Sequence, residues 1–360
     1  MLVLHDESTC LHRTVEVLGA KIIPALECPE RIRSILAVLG ADIRHEVRGI
    51  AGQGLGTELE NILSSSHDPG YLEHLRTCHG DWVRIGAIGE DESVLPECFP
   101  VRGLSTRPQP PKDAFARPGY YAFDLSTGIC KDTWSSAVAS AGLALEAARI
   151  IAGSTSGSTR DVLALCRPPG HHCTTALAGG YCYLNNAVVA VEALRRYSSP
   201  EVKVAILDLD FHHGNGTQSY FYADPLVLYV SIHGENEYPY YTGFENETGE
   251  GPGEGANLNL PLPPRSSTDE YGVKVDASTK KIQSFKPSYL VVSLGFDTFC
   301  LDPLGSFNLQ TEDYEAIAAR VRHAAGIGGL PSLLLLEGGY VLEHLGENMS
   351  RFLKGWESEG

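Results

Sequence analysis

The chain has 360 residues, of which 43% are hydrophobic and 20% are charged, a composition that fits a folded globular protein and excludes disordered, collagen-like and coiled-coil classes. Lysine and arginine number 28 against 45 aspartate and glutamate residues, for a formal net charge of -17. This balance argues against a broad basic surface for nucleic acid, and a cationic small substrate fits it better.

Two further features bear on where the protein works. Residues 1–6 contain no basic region followed by an apolar stretch, and no apolar run reaches the roughly 18 residues that a membrane span needs. The nine cysteines include no Cys-x-x-Cys pair, which indicates reduced thiols and excludes a cysteine-type zinc site. We therefore expect a cytoplasmic protein that binds neither membrane nor nucleic acid.

In chain order, residues 1–90 carry little strand signal, and a proline-rich segment follows at about 91–118. We interpret that segment as an insertion in a single domain spanning 1–360. Beyond it, helical patterns at 135–152 and 186–197 alternate with short apolar runs. Such runs are typical of strands that helices cover on both faces. The runs lie at 161–166, 202–207 (ending in VAIL), 289–294 (YLVVSL) and 333–336 (LLLL). The pattern predicts an α/β fold, a three-layer α/β/α domain with a central, mostly parallel sheet.

Polar side chains follow five of the predicted strands. Because ligands of open parallel sheets bind at the carboxyl ends of the strands, we expect these side chains to meet in one crevice. The polar segments are His171-His172, Asp208 to Asn215, Ser231-Ile-His233, Asp297, and Glu337-Gly-Gly-Tyr340.

The segment after the VAIL run predicts a metal site. In an extended chain, Asp208, Asp210 and His212 share one face. In a lone Asp-x-Asp motif, the two carboxylates could equally cap the next helix. The polar residues at the ends of the other strands favour metal binding instead. With Asp297 they supply two carboxylates and an imidazole and leave a position open for water, as catalytic zinc sites require. We predict one Zn2+ bound by Asp210, His212 and Asp297; iron would also suit these ligands.

The remaining polar residues predict acid–base chemistry. Of His171 and His172, one would act as general base and acid and the other as electrostatic support, with Asp208 and Asn215 as their partners. A histidine paired with a neutral Asn is less basic than one paired with Asp, and so better suited to act as the base. Tyr340 would donate its hydroxyl to a developing oxyanion, although a lone tyrosine at a strand end is more typical of core packing.

These motifs resemble the zinc-dependent deacetylases of the arginase/deacetylase superfamily. RPPGHH, GGYCYLNN, DLDFHHGNGT, SIHG, SLGFDTFCLDP and LEGGY follow one another in that family's order over roughly 161–349. Further segments are similar to the acetylpolyamine amidohydrolase branch and its class II histone deacetylase-like neighbours, and they extend the resemblance over nearly the whole chain. They are ALECPERIRSIL, SSSHDPGYLEHL, FPVRG, GYYAFDLSTG, ETGEGPGEG and LNLPLPP.

The resemblance implies roles for individual residues. It places the zinc on the same three ligands and pairs His171 with Asp208 as the electrostatic histidine. It pairs His172 with Asn215 as the general base and acid, and it makes Tyr340 the group that polarises the acyl carbonyl. Class I histone deacetylases carry Asp where this chain has Asn215.

The resemblance also implies a substrate tunnel. Gly180 and Tyr181 would line it, the glycine carbonyl accepting the N–H of the scissile amide. An aromatic residue of the YPYY segment would form the opposite wall, either Tyr238 or Tyr241.

A K+ site near the zinc is implied as well. It would be built partly from the main-chain carbonyls of Asp208, Asp210 and His212, together with Ser231.

Substrate choice is the least defined expectation. Acidic residues at the tunnel mouth select polyamines in this family, and Asp91, Glu92 and Glu97 are candidates by location. Leu304 stands where one polyamine-selective vertebrate deacetylase carries Glu. The proline-rich insertion implies a homodimer in which each subunit narrows the tunnel of the other.

The expected reaction is removal of acetyl groups from acetylated polyamines or similar small cationic amides. One alternative is a protein lysine deacetylase, which needs an open rim that the insertion would restrict. Another is a binding module without catalysis, which the complete set of predicted ligands argues against.

Overall fold

The computed structural model describes residues 1–50, 56–101, 109–154 and 161–358. Its centre is an eight-stranded sheet in which every neighbouring pair of strands is parallel. The strands, in order across the sheet, are β4 (Glu46–Gly49), β1 (Leu2–His5), β5 (Asp161–Ala164), β10 (Ser332–Leu336), β9 (Tyr289–Leu294), β6 (Val204–Asp208), β7 (Val227–Gly234) and β8 (Asn257–Leu262). Two further strands, β2 (Val15–Leu18) and β3 (Lys21–Pro24), form an antiparallel hairpin outside this sheet.

Helices cover both faces of the sheet. They are α1 (Glu30–Leu39), α2 (Thr57–Ser66), α3 (Pro69–Arg84), α4 (Arg117–Tyr120), α5 (Thr133–Ala152), α6 (Asn186–Tyr197), α7 (Asn215–Phe221), α8 (Thr268–Phe285), α9 (Asp313–Arg322) and α10 (Leu342–Trp356). Short 3-10 helices lie at Glu7–Leu11 and Gly251–Gly253.

The alternation of side chains along each strand creates two separate cores. In β10, Leu333 and Leu335 pack into the core shared with α5 and α6, while Leu334 and Leu336 pack into the core shared with α1 and α10. All four side chains are fully buried. Apolar residues on both faces are what a parallel sheet between two helix layers requires, and the three-layer α/β/α prediction is confirmed.

The apolar runs of the sequence become the central strands. The predicted strands at 289–294 and 333–336 are β9 and most of β10, and the predicted helix at 186–197 is α6. Residues 1–90 contain more strand than the sequence indicates, because they supply β1, β4 and the β2–β3 hairpin. Each of these strands has only four residues, too few to show a clear alternation.

The proline-rich insertion is irregular where the structure describes it, at 91–101 and 109–116, and residues 102–108 lie outside the described part. Backbone hydrogen bonds between Val94 and Ile129 attach its first half, and the Trp82 indole N–H donates to the Ala114 carbonyl at 2.9 Å in its second half. The short helix α4 begins at Arg117.

Helix α5 has 20 residues and is long and apolar enough, by length and composition, to cross a membrane. More than half of its most apolar window is buried inside the protein, and it packs against α6 and β5. This burial is typical of the core helix of a globular domain.

All nine cysteines lie in the described part of the chain, and all are free.

Candidate active site

Five adjacent strands bring the predicted polar residues together. β5, β10, β9, β6 and β7 lie side by side, and the chain that follows or ends each strand carries one predicted segment. Regular strand structure in β6 ends at Asp208, so the extended conformation assumed for 208–213 stops there. Convergence therefore results from the parallel sheet, as the sequence indicates, and not from one long extended segment.

Asp210, His212 and Asp297 form the candidate metal centre. One potential ligand atom from each lies within 4.8 Å of the others. His212 Nδ1 is 2.9 Å from Asp297 Oδ2 and 3.3 Å from Asp210 Oδ1. Burial, together with the charge of Asp210, raises the pKa of Asp297 to about 7. Two buried carboxylates repel each other, and a divalent cation between them removes that cost. The set of two oxygens and one nitrogen therefore fits a zinc or iron ion.

Backbone N–H groups from the turn after β10 and from the segment after β6 hold the two carboxylates of this centre. The Gly338 N–H donates to Asp210 Oδ2 at 2.7 Å, and the Phe211 N–H donates to Asp297 Oδ1 at 2.8 Å. A Cβ on Gly338 would approach the carboxylate oxygens of Asp210 and Asp297 more closely than 3.0 Å. Only glycine fits at this position.

The two histidines have the partners that the sequence predicts. His171 Nδ1 lies 3.1 Å from Asp208 Oδ2, and His172 Nδ1 lies 2.8 Å from Asn215 Oδ1. The Tyr229 hydroxyl also donates to Asp208 Oδ2, at 2.9 Å.

The partners give the two imidazoles opposite properties. Burial opposes protonation of His171, but the carboxylates of Asp210 and Asp208 outweigh it and raise the His171 pKa to about 10. Burial, reinforced by His171 and His212, lowers the pKa of His172 well below its ordinary value. His172 is therefore the neutral imidazole, and it lines the cavity described next, whereas His171 lies behind it.

A cavity of about 730 Å³ leads from the surface to His172 and His212. Gly180 and Tyr181 line it, and a Cβ on Gly180 would approach the His172 ring more closely than 3.0 Å. The centroid of the Tyr238 ring lies 5.0 Å from that of the His172 ring, and Tyr238 also lines the cavity. Tyr241 is 88% exposed and lies at the rim.

Tyr340 lines the same cavity. Its backbone N–H donates to Asp302 Oδ2 at 2.7 Å, and the guanidinium of Arg31 lies 5.1 Å from its ring. The ring of Tyr181 is 5.6 Å away. Tyr340 therefore lies at the cavity, and its role as the carbonyl-polarising group stays a prediction.

The sequence singles out Glu337 as a polar residue at a strand end but assigns it no role. It is fully buried, and its Oε2 accepts the N–H groups of Gly170 at 2.7 Å and His171 at 3.2 Å. The Ser293 hydroxyl donates to its Oε1 at 3.0 Å. Burial raises the Glu337 pKa to about 7. Glu337 ties the turn that carries Tyr340 to the loop that carries both histidines.

Sequence reasoning missed two acidic residues that hold the aromatic walls. The Tyr181 hydroxyl donates to Glu16 Oε2 at 2.8 Å, and the Tyr238 hydroxyl donates to Asp124 Oδ2 at 2.7 Å. Both carboxylates line the cavity. Glu16 comes from the β2–β3 hairpin and belongs to no motif of the sequence analysis, whereas Asp124 lies within the GYYAFDLSTG segment, which was given no site role there.

The acidic residues of the insertion that are candidates for substrate selection lie outside the cavity. Asp91 accepts a hydrogen bond from the Lys131 ammonium at 2.8 Å, Glu92 accepts from the Gly89 N–H at 2.7 Å, and Glu97 is exposed. None of the three lines the cavity of this chain, whereas Leu304 does.

Ser231, the side chain expected at the potassium site, is fully buried and pairs in register with Asp208 across β6 and β7. Its hydroxyl lies 2.9 Å from His233 Nδ1. Potassium binding stays a prediction.

Comparison with known proteins identifies the family. The model of the histone deacetylase domain matches residues 25–356. The chain belongs to the histone deacetylase family. Within that family of deacetylases it is similar to acetylpolyamine amidohydrolase 1 of Pseudomonas aeruginosa, at 38% identity over 99% of both chains. It is 35% identical to the acetylpolyamine amidohydrolase of Mycoplana ramosa over 98% of both chains. The crystal structure of an acetylpolyamine aminohydrolase from Burkholderia pseudomallei superposes with a TM-score of 0.85 at 35% identity, covering 99% of this chain and 98% of that one.

Proposed function

We propose that this deacetylase-family enzyme is a zinc-dependent amidohydrolase that removes acetyl groups from acetylated polyamines or similar small cationic amides. The observation that carries the proposal is the cavity. It leads between aromatic walls to His172, and its described lining includes three carboxylates and no lysine or arginine. Such a lining favours a slender substrate that carries positive charge. The names of the full-length relatives agree with this substrate class.

Different residues would bind the metal and transfer the proton. Asp210, His212 and Asp297 would hold the zinc, which would supply Lewis acidity towards water and the acyl carbonyl. The Nδ1–H of His172 donates to Asn215, which leaves Nε2 free to accept the proton of the attacking water. The same nitrogen then returns a proton to the leaving amine, so that the amide C–N bond breaks and a C–O bond replaces it.

Two further groups stabilise charge. The Tyr340 hydroxyl donates a hydrogen bond to the oxygen of the carbonyl as negative charge develops on it. His171, 3.1 Å from Asp208, lies behind His172, and its imidazolium form would favour the anionic transition state.

We also propose that the whole chain forms one catalytic domain and acts in the cytoplasm as a homodimer. Exposed apolar side chains at the cavity rim support the dimer, because a second subunit would cover them. They are Leu18, Tyr240 and Tyr241, which are 47%, 58% and 88% exposed. Light scattering at several protein concentrations measures the mass in solution, and a monomer throughout would contradict this proposal.

The decisive experiment compares kcat/KM of the zinc-loaded protein on N-acetylputrescine, N8-acetylspermidine and an acetyl-lysine peptide, with a chelator control. We expect a strong preference for the acetylated amines and loss of activity with the chelator. Preference for the peptide would identify a lysine deacetylase. Binding of the amines without turnover would identify a recognition module.

A further inference from the structure

The three carboxylates that line the cavity differ in how fully the protein already hydrogen-bonds them. They belong to Glu16, Asp124 and Glu237. A carboxylate offers about four acceptor positions, and those taken by protein donors are not free for a ligand. The hydrogen bonds to each group therefore indicate which of them is available to bind a substrate cation.

The Glu16 carboxylate already accepts hydrogen bonds from the protein on both oxygens. It is only 2% exposed, its Oε1 accepts the Leu26 N–H at 2.9 Å, and its Oε2 accepts the Tyr181 hydroxyl. Its function is to hold the Tyr181 wall in place.

The Asp124 carboxylate accepts more hydrogen bonds from the protein than Glu16 does. Its Oδ2 accepts the Gly180 N–H and the Tyr238 hydroxyl, both at 2.7 Å, and the Ser126 hydroxyl at 2.6 Å. Its Oδ1 accepts the Thr127 hydroxyl at 3.1 Å and the Ser126 N–H at 3.2 Å. These five donors leave the carboxylate little capacity for a ligand.

Glu237 is different. Among the described residues, its carboxylate has one hydrogen bond, from the Ser306 hydroxyl to Oε1 at 3.3 Å, and Oε2 has none. Its backbone is nevertheless well placed, because its carbonyl accepts the Tyr240 N–H at 2.7 Å. The residue is half-buried in the cavity wall and directly precedes the aromatic wall Tyr238. Glu237 thus gives the cavity wall a residue whose carboxylate still has acceptor capacity.

We propose that Glu237 is a specificity-determining residue whose carboxylate binds the distal ammonium group of the substrate. This inference rests on the proposed function and deepens it. The substrate class is a linear monoacetylated amine with a second, charged nitrogen several methylenes from the amide. Neutral amides of the same length gain nothing from Glu237, so the residue separates polyamine-like substrates from uncharged ones.

Two matched pairs test the proposal. N-acetylputrescine and N-pentylacetamide have the same length, but the second carries a methyl group in place of the ammonium. Glu237→Gln removes the charge at nearly constant shape. Glu235→Gln removes an equal charge from an exposed residue of the same loop that does not line this cavity.

We expect Glu237→Gln to lower kcat/KM on N-acetylputrescine about tenfold or more, because hydrogen bonds to charged groups are among the stronger ones in proteins. The loss should lie in KM, with kcat, the melting temperature and activity on N-pentylacetamide unchanged. Glu237→Asp should recover part of the loss, and Glu235→Gln should match the wild type.

Several outcomes would overturn the inference. Equal losses in Glu237→Gln and Glu235→Gln would show general attraction by the acidic surface. Equal losses on both substrates would show an effect through Tyr238. A wild type that hydrolyses both amides equally well would refute the role of Glu237 while leaving the amidohydrolase intact, whereas a wild type that hydrolyses neither would refute the proposed function itself.

Discussion

The substitution Gly338→Ala should abolish tight metal binding without unfolding the protein. The new Cβ would lie 2.7 Å from Asp210 Oδ2 and closer still to Asp297 Oδ2, whereas ordinary contacts begin at 3.4 Å. The Asp210 oxygen must therefore move by about 0.7 Å and the Asp297 oxygen by more, whereas metal–ligand distances tolerate only about 0.2 Å.

The expected size of the effect follows from that displacement. Loss of a group that merely supports a metal ligand typically lowers metal affinity by about 10- to 100-fold. Displacement of the ligand oxygens themselves should exceed the upper end of this range, about 2.7 kcal/mol or more. Zinc affinity is measured by competition with a chromophoric chelator, and zinc content by elemental analysis after dialysis.

A matched glycine-to-alanine control shows whether the loss of zinc affinity is specific to position 338. A Cβ on Gly80, inside α3, would meet no atom within 4 Å. Gly80→Ala should keep full zinc affinity and raise stability by about 1 kcal/mol, because alanine favours helix more than glycine does. Wild-type zinc affinity in Gly338→Ala would refute the assignment of the metal to the carboxylates beside this glycine.

The other predictions concern catalysis, the ligand set and acid stability. His172→Ala and Tyr340→Phe should each lower kcat by about 100-fold or more while zinc content stays at the wild-type level, and retained kcat in both would contradict the assigned roles. Asp210→Ala should lose the metal, so full zinc occupancy after dialysis would exclude Asp210 as a ligand. Burial lowers the pKa of His12 and His67 to about 4 and that of His74 to about 3, below the roughly 6.5 of an unfolded histidine. As the pH falls below 6.5, these histidines take up protons in the unfolded state before they do so in the folded state. Their full contribution to the free energy of unfolding is therefore present above pH 6.5, and protonation of each histidine should lower that free energy by about 2 kcal/mol at pH 5. Chemical denaturation of the wild type and of a His67→Gln variant at pH 7 and pH 5 measures the loss, and an equal pH dependence in the two proteins would show that His67 is not buried in its neutral form.

The sequence predicts the central strands and the site at their ends for a physical reason. Long apolar runs such as YLVVSL are distinctive because both faces of the strand are buried. The polar residue that follows each run then belongs to one edge of the sheet, so residues as distant as His171 and Asp297 could be placed together without knowledge of the strand order.

Interactions between segments with no periodic pattern could not be predicted. Glu16 and Tyr181 meet across 165 residues, and Asp124 and Tyr238 across 114. Each pair depends on how a loop or hairpin packs over the strand ends, which local propensity does not encode. For the same reason the sequence predicts the acidic residues of the cavity in the insertion, whereas the structure has them on the β2–β3 hairpin, before α5 and in the loop after β7.

The carboxylates that hold Tyr181 and Tyr238 have an entropic consequence. Both rings are fixed before any substrate arrives, so binding does not have to immobilise them, and this preorganisation saves about 0.5–1.5 kcal/mol for each side chain. Rings fixed in this way also cannot swing apart to admit a wider group. The enzyme should therefore reject branched amines by the width of its entrance, whatever acyl group they carry.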